Sequence, residues 1–278
     1  ACCPSNICRF IPSVPGYVYA VKDNKLFVNL FMSNTLATKV GGKNVQITQS
    51  TEYPWNGDIK ITVDKTPGQF CLNIRIPGWV RNEVVPTALY RYSDGKTPGY
   101  TVQVNGEAVE ATLQNGYFGI DRKWKKGDVV SIHFDMEPRI VTAHRQVAED
   151  RGKIAVERGP LVYCAEWADN DFNVLSTSLP ANSDFKVIPF KMNVEGRAYA
   201  MNALETTAYD NYTGNVARAN QVKLRLIPYY AWAHRGNGNM EVWMTRYNPP
   251  AQAAQAPAAP QVRSEERRVG KECRSRWA

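Results

Sequence analysis

The sequence predicts an all-β chain organised as two β-sandwich domains, and three observations carry that prediction. Apolar residues recur at every second position in short runs, turn residues separate the runs, and helical periodicity is scarce up to about Arg246. Ile59, Ile61 and Val63 alternate with polar neighbours, as do Phe70, Leu72, Ile74 and Ile76, and Val130, Ile132 and Phe134. Each run offers one apolar face to a core. Asn105-Gly106 and Asn115-Gly116 accept positive φ at both centres of a tight hairpin turn, so antiparallel pairing is expected around them. Short strands with frequent turns favour sandwiches over a parallel sheet with crossover helices.

A domain boundary is expected between Pro138 and Ala148, where one alternating run gives way to a polar stretch before Lys153–Val156 starts another strand. The second module takes in Gly159-Pro160-Leu161-Val162-Tyr163 and a polar segment from Ala168 to Asp184 that reads as surface loops. From Asn248 the composition turns to proline, alanine and glutamine, with too little apolar mass to order itself, so 248–262 reads as a linker. Residues 263–278 are similar to translated adaptor or vector sequence met at the ends of unrelated gene fragments, and are set aside from function. A basic interaction tail is the alternative.

Composition excludes several classes. With 278 residues, 44% hydrophobic and 22% charged, the chain has enough apolar mass for real cores, which rules out wholesale disorder and collagen-like repetition. No run approaches the roughly 18 apolar residues of a membrane-spanning helix, and no basic-then-apolar leader is present, so a soluble chain without a membrane partner is expected. It begins Ala1-Cys2-Cys3 without an initiator methionine, and is expected to start inside a longer reading frame. The net charge is +8, of which residues 263–278 contribute +3 through six basic and three acidic side chains. The other compact basic stretch, Arg122-Lys123-Trp124-Lys125-Lys126, precedes Gly127-Asp128 and a strand, as an exposed hairpin end would. No nucleic-acid partner is therefore expected.

The cysteines are Cys2, Cys3, Cys8, Cys71, Cys164 and Cys273, a spacing unlike a disulfide scaffold. Cys71 and Cys164 fall in apolar strands, as small buried thiols. The segment Cys2-Cys3-Pro4-Ser5-Asn6-Ile7-Cys8-Arg9 carries more chemistry. Pro4 suits the first position of a short helix, Pro12 is expected to end it around Ile11, and Cys3 then falls at the cap. Unsatisfied N–H groups and the helix dipole favour thiolate there, the form that attacks carbon or binds zinc. A zinc ion held by two adjacent thiolates needs further ligands from elsewhere, and the chain offers no obvious partner pair. A disulfide between neighbours, or two ordinary thiols, are equally open on spacing alone.

Asn6 and Arg9 lie one helical turn apart and face one side, where they serve either to cap neighbouring carbonyls or to line a site. Trp55, Trp79, Trp124, Trp167, Trp232 and Trp243 read mainly as core residues rather than sugar platforms. His133, His144 and His234 show no ligand spacing and are assigned to core or surface.

The residues Cys2, Cys3, Asn6 and Arg9 match a Cys-Cys-x-x-Asn-x-x-Arg pattern, and the segment resembles that of glycoside hydrolase family 127, characterised as β-L-arabinofuranosidases. Arg122–Asp128, Glu157–Tyr163 and Ile227–Ala233 are similar to family segments in the family's order, so the resemblance covers roughly 1–246. It implies a catalytic (α/α)6 barrel ahead of two β-sandwiches. Residues 1–16 are then the last helical remnant of an otherwise missing barrel, 17–139 the first sandwich, completed by 226–247, and 140–225 the second.

The resemblance also implies a retaining mechanism with Cys2 as nucleophile and zinc ligand, Cys3 as a second zinc ligand, and arabinofuranose-containing glycans as substrates. Zinc would hold the thiolate deprotonated. The remaining ligands in a Glu-x-Cys motif, and the acid/base glutamate, are expected upstream; no Glu-x-Cys occurs in this chain. A fragment inactive by itself is expected. The alternative is a non-catalytic carbohydrate-binding or scaffold module.

Overall fold

The computed structural model describes residues 2–66, 68–210 and 219–247. The proposed linker (248–262) and tail (263–278) lie outside them, as does the side chain of Cys2. Two helices, α1 (Cys2–Ser13) and α2 (Pro15–Val18), come first. Then follow β1 (Tyr19–Lys22), β2 (Lys25–Val28), β3 (Asn34–Val40), β4 (Lys43–Thr51), β5 (Asp58–Lys65) and β6 (Gln69–Arg75). The middle of the chain forms β7 (Tyr90–Tyr92), β8 (Tyr100–Val104), β9 (Glu107–Ala108), β10 (Tyr117–Lys123), β11 (Val129–Phe134), β12 (Pro138–Ala143) and β13 (Lys153–Arg158). Last come β14 (Leu161–Glu166), β15 (Ser178–Pro180), β16 (Lys186–Val194), β17 (Arg197–Asp210), β18 (Asn220–Pro228), β19 (Met240–Glu241) and β20 (Met244–Tyr247). The chain is all-β, as its alternating runs predict.

The first sandwich faces a four-stranded sheet, β1-β2-β6-β10, against a six-stranded one, β3-β4-β5-β11-β8-β9. Phe70, Leu72 and Ile74 from one sheet and Ile59, Ile61, Val63, Val130, Ile132 and Phe134 from the other are all buried in one core. These are the residues whose period of two set the strand assignment. Asn105 and Gly106 take φ of 54° and 85°, and Asn115 and Gly116 take 52° and 81°, as left-handed hairpin turns require. Pairing is not wholly antiparallel: β2 runs parallel to β6, and β15 to β20. The β2–β6 pair is possible because β3 to β5 lie in the opposite sheet and form the crossover.

The basic stretch is an exposed turn but not the hairpin end expected: it carries the chain from β10 in one sheet to β11 in the other, and the two strands do not pair. Lys125 and Lys126 are exposed, while Trp124 is buried with its indole N–H donating to the Phe70 carbonyl at 3.0 Å. The buried Asp128 carboxylate accepts from the Lys125 N–H at 2.8 Å and from the Asn105 amide at 3.0 Å, stapling two turns together.

In the second sandwich the pairings close into a ring, β13-β14-β18-β17-β15-β20 and back to β13. Ile154, Val156, Tyr163, Leu179, Leu204, Leu226 and Met244 fill its interior. This corrects the expectation that 226–247 complete the first sandwich. Met244 and Thr245 of β20 pair with Ile154 and Lys153, and Ser178 pairs with Thr245, so this segment closes the second sandwich instead. Met244 is fully buried in that core, which fixes the register. β7, from within 17–139, also joins this sheet by pairing with β12.

The loop after β4 ties the sandwiches together. The Trp55 carbonyl accepts from Arg158 and from the Asn202 amide, each at 3.1 Å. Its indole packs against the cluster of Met192, Met201, Ala203 and Ile227.

Candidate active-site helix

The residues singled out from sequence come together on α1. The helix starts at Cys2, two residues earlier than expected, so Cys3 lies in its first turn rather than at its cap, and Pro4 follows in the same turn. The first N–H groups of a helix lack intrahelical acceptors, which tolerates Pro4 and leaves positive dipole ends near both cysteines. Pro12 does not end the helix at Ile11 but lies inside it, one residue before the end. There its missing N–H forfeits a single bond, to the Cys8 carbonyl.

Arg9 donates through its guanidinium to Asn6 Oδ1, so the two do share a face. Both are exposed, as is Cys3. The apolar side chains of α1 are exposed as well: Phe10 is 61% accessible and Ile11 62%. Among the described residues no strand covers that side.

The helix is tied to the first sandwich through α2. Val18 is buried and its carbonyl accepts from the N–H groups of Asn29 and Leu30. Asn29 Oδ1 accepts from the Tyr117 hydroxyl at 2.8 Å, and Tyr19 donates to Asn34 Oδ1 at 2.9 Å. Burial pushes the Tyr19 phenol up despite its hydrogen bonds with Gln49 and Asn34.

Among the described residues no group of three or more His, Cys, Asp or Glu side chains is placed to hold a metal. Two adjacent sulfurs supply at most half of a tetrahedral zinc site. The donor set described therefore does not fit a resident zinc ion.

The other sequence candidates have structural work. Cys164 is fully buried, and burial pushes its thiol up to about 12, while half-buried Cys71 is likewise raised by burial. Among the described tryptophans only Trp124 is fully buried; Trp167 is exposed, lying over Gly238, where a Cβ would come 1.9 Å from the ring. His133, His144 and His234 are all at the surface.

A cleft of about 620 Å³ between the sandwiches, lined by Tyr53, Arg75, Trp79, Arg81, Glu83 and Glu157, escaped sequence reasoning. Burial raises the pKa of Glu157, whose carboxylate accepts from the Tyr92 hydroxyl at 2.8 Å. The segment Glu157-Arg158-Gly159 was singled out, but its partners come from β7 and the loop after β4, which spacing alone does not connect.

Residues 25–136 match the model of the β-L-arabinofuranosidase GH127 middle domain, and residues 138–245 that of the glycoside hydrolase family 127 C-terminal domain. The non-reducing end β-L-arabinofuranosidase of Bifidobacterium longum subsp. longum is 31% identical over 264 residues, covering 88% of this chain and 37% of its own. A solved GH127 β-arabinofuranosidase is 50% identical with a TM-score of 0.83, over 89% of this chain and 39% of its own. A GH127 β-L-arabinofuranosidase from Geobacillus stearothermophilus T6 is 33% identical with a TM-score of 0.75, over 89% and 38%. The chain thus spans about two fifths of the length of these relatives. Matched in sequence and fold across both sandwiches, this chain belongs to glycoside hydrolase family 127 and carries its middle and C-terminal domains.

Proposed function

We propose that the chain is the C-terminal part of a retaining glycosidase that releases terminal β-L-arabinofuranose, with Cys2 as its nucleophile. The observation that carries this reading is the Cys2-Cys3-x-x-Asn6-x-x-Arg9 pattern on one helix directly ahead of two family domains, with Asn6 and Arg9 bonded on a shared face. The uncovered apolar side of α1 supports further helices packing there, since Phe10 and Ile11 gain nothing from water.

In the proposed chemistry the Cys2 thiolate attacks the anomeric carbon as the bond to the leaving oxygen breaks, and a carboxylic acid protonates that oxygen. Water then gives a proton to the carboxylate left by the first step and attacks the same carbon, the carbon–sulfur bond breaks, and the thiolate returns. Arg9, bonded to Asn6, orients that amide. Zinc held by Cys2 and Cys3 would need a glutamate and a further cysteine from outside the described residues.

The chain by itself is expected to release no sugar from an aryl β-L-arabinofuranoside, because its sequence holds no Glu-x-Cys motif to complete the ligand set that the family pattern implies. Turnover by the purified 278-residue chain would overturn that part. Joined to a helical domain of the family, it is expected to turn over, and Cys2→Ser to abolish activity while circular dichroism is unchanged. Undiminished release by that variant would remove Cys2 from the mechanism.

A further inference from the structure

The second sandwich carries a groove of about 470 Å³ remote in sequence from α1. Its floor is apolar and buried: Met192 in β16, Met201 in β17 and Ala231. Its rim holds Tyr199, 47% exposed, Tyr230, 56% exposed, and His234. Tyr199 stands opposite Met192 in the β16–β17 register, and Tyr230 arrives from the turn after β18.

The segment bearing Tyr230 is held firmly. Arg235 bonds to Glu166 and Asp169, and the Ala233 N–H donates to Glu166 Oε1 at 3.0 Å. Ala233 takes a left-handed φ of 67°, and Trp167 lies over Gly238 further along. Burying the Glu166 carboxylate is costly, yet this bracing leaves Tyr229 and Tyr230 in water rather than turning them into the core. Rigid support beneath exposed rings is what a preorganised binding surface needs.

The lining settles the ligand's chemistry. Among the described residues no Asp, Glu, Lys or Arg lines the groove, so none of them neutralises a phosphate, carboxylate or ammonium there. Two phenol hydroxyls and an imidazole on an apolar floor suit a molecule with apolar C–H faces and hydroxyl edges. The volume is that of a small-ligand site, whereas a stable protein contact needs a far larger surface.

We propose that this groove binds a neutral saccharide, with the rings of Tyr199 and Tyr230 covering the C–H faces of its sugar units. It stands apart from the catalytic reading, because no residue of α1 lines the groove.

The test titrates the whole 278-residue chain with arabinotriose, galactotriose and trigalacturonic acid, followed by calorimetry and saturation-transfer NMR. Saturable binding of at least one neutral trimer is expected, with little from the acidic one. Tyr199→Ala or Tyr230→Ala is expected to weaken it about tenfold, while Tyr199→Phe and Tyr230→Phe keep it, since the ring supplies most of the contact. Cys2→Ser is expected to leave it unchanged, which separates this result from any failure of the catalytic reading. Absence of neutral-trimer binding up to millimolar concentrations, full binding by the double alanine variant, or tighter binding of the acidic trimer would each overturn the proposal. So would tyrosine variants that bind sugar normally and change only the oligomeric state on gel filtration.

Discussion

The guanidinium of Arg139 lies 3.6 Å above the ring of Tyr92, and this pair holds β7 in the second sandwich although its neighbours in sequence belong to the first. The same side chain donates to Asp94 at 2.6 Å, to Asn82 at 2.7 Å and to the Lys96 carbonyl at 2.5 Å. It is 7% exposed. Truncating it leaves Asp94 without its partner and Tyr92 without its cation, so Arg139→Ala is expected to cost about 3–5 kcal/mol. Urea unfolding measures this, and a loss below about 1 kcal/mol would show that β7 is held by other contacts. The Arg139 hydrogen bond holds the Asp94 carboxyl below its ordinary value, so this pair's stabilisation is present above the unfolded carboxylate pKa and is lost as pH falls through the folded one. Arg139→Ala is therefore expected to flatten the acid limb of the stability profile.

Gly57 gives a sharper steric prediction. A Cβ there would come 2.0 Å from the Phe134 carbonyl oxygen, and the Phe134 N–H donates to the Gly57 carbonyl at 3.0 Å. Both contacts are with backbone, so no rotamer change relieves them. Gly57→Ala is expected to destabilise the chain by about 3 kcal/mol or more, or to prevent folding. Gly42→Ala meets nothing within 4 Å and pays only for its positive φ of 77°, so its cost is expected near 1 kcal/mol. Equal thermal midpoints for the two variants would contradict the steric account.

How much of this was legible beforehand follows the range of the interactions. Ile59, Ile61 and Val63 declared their strand because period-two burial is local, and Asn105-Gly106 declared its turn because positive φ is a property of the dipeptide. The stretch from Pro138 to Ala148, read as a polar boundary, instead opens with the strand β12 (Pro138–Ala143). Nor was the pairing of Lys153 with Thr245 legible, because it joins residues far apart through the burial of Met244, and no local pattern distinguishes one receptive sheet edge from another. At the candidate site the shared face of Asn6 and Arg9 was readable, because one helical turn separates them. Tyr199 and Tyr230 were not read as neighbours, because hairpin register and a turn bring them to one groove.

Glu241 should make stability fall as pH rises. Burial raises its carboxyl from 4.5 to about 7, opposed in part by Lys153, and Oε2 has no hydrogen-bond partner among the described residues. Between those two values the folded state keeps a proton that the unfolded state has released. The protonated form therefore stabilises the fold below the unfolded pKa, and this contribution disappears as pH climbs through the folded one. Unfolding free energy is expected to drop by about 1–3 kcal/mol from pH 5 to pH 8 on this account. Glu241→Gln removes the charge without changing shape and should abolish most of that slope; an unchanged slope in the variant would assign it to other groups.

The thiols are expected to separate by accessibility. Cys3 and Cys8 are exposed on α1, Cys71 is half-buried with its Sγ 3.6 Å from Asn73 Oδ1, and Cys164 is fully buried in the second sandwich. Reaction with a disulfide reagent needs both thiolate and access, and burial that pushes Cys164 up to about 12 denies it both at neutral pH. In the native chain α1 thiols should be modified first, Cys71 more slowly, and Cys164 only at the rate of opening of the second sandwich. Mass spectrometry of partly labelled chain resolves the order. Because Arg235 bonds to Glu166 at the end of the same strand, Arg235→Ala is expected to accelerate Cys164 labelling and leave α1 labelling unchanged. Equal acceleration at both places would mean that the two regions open as one unit.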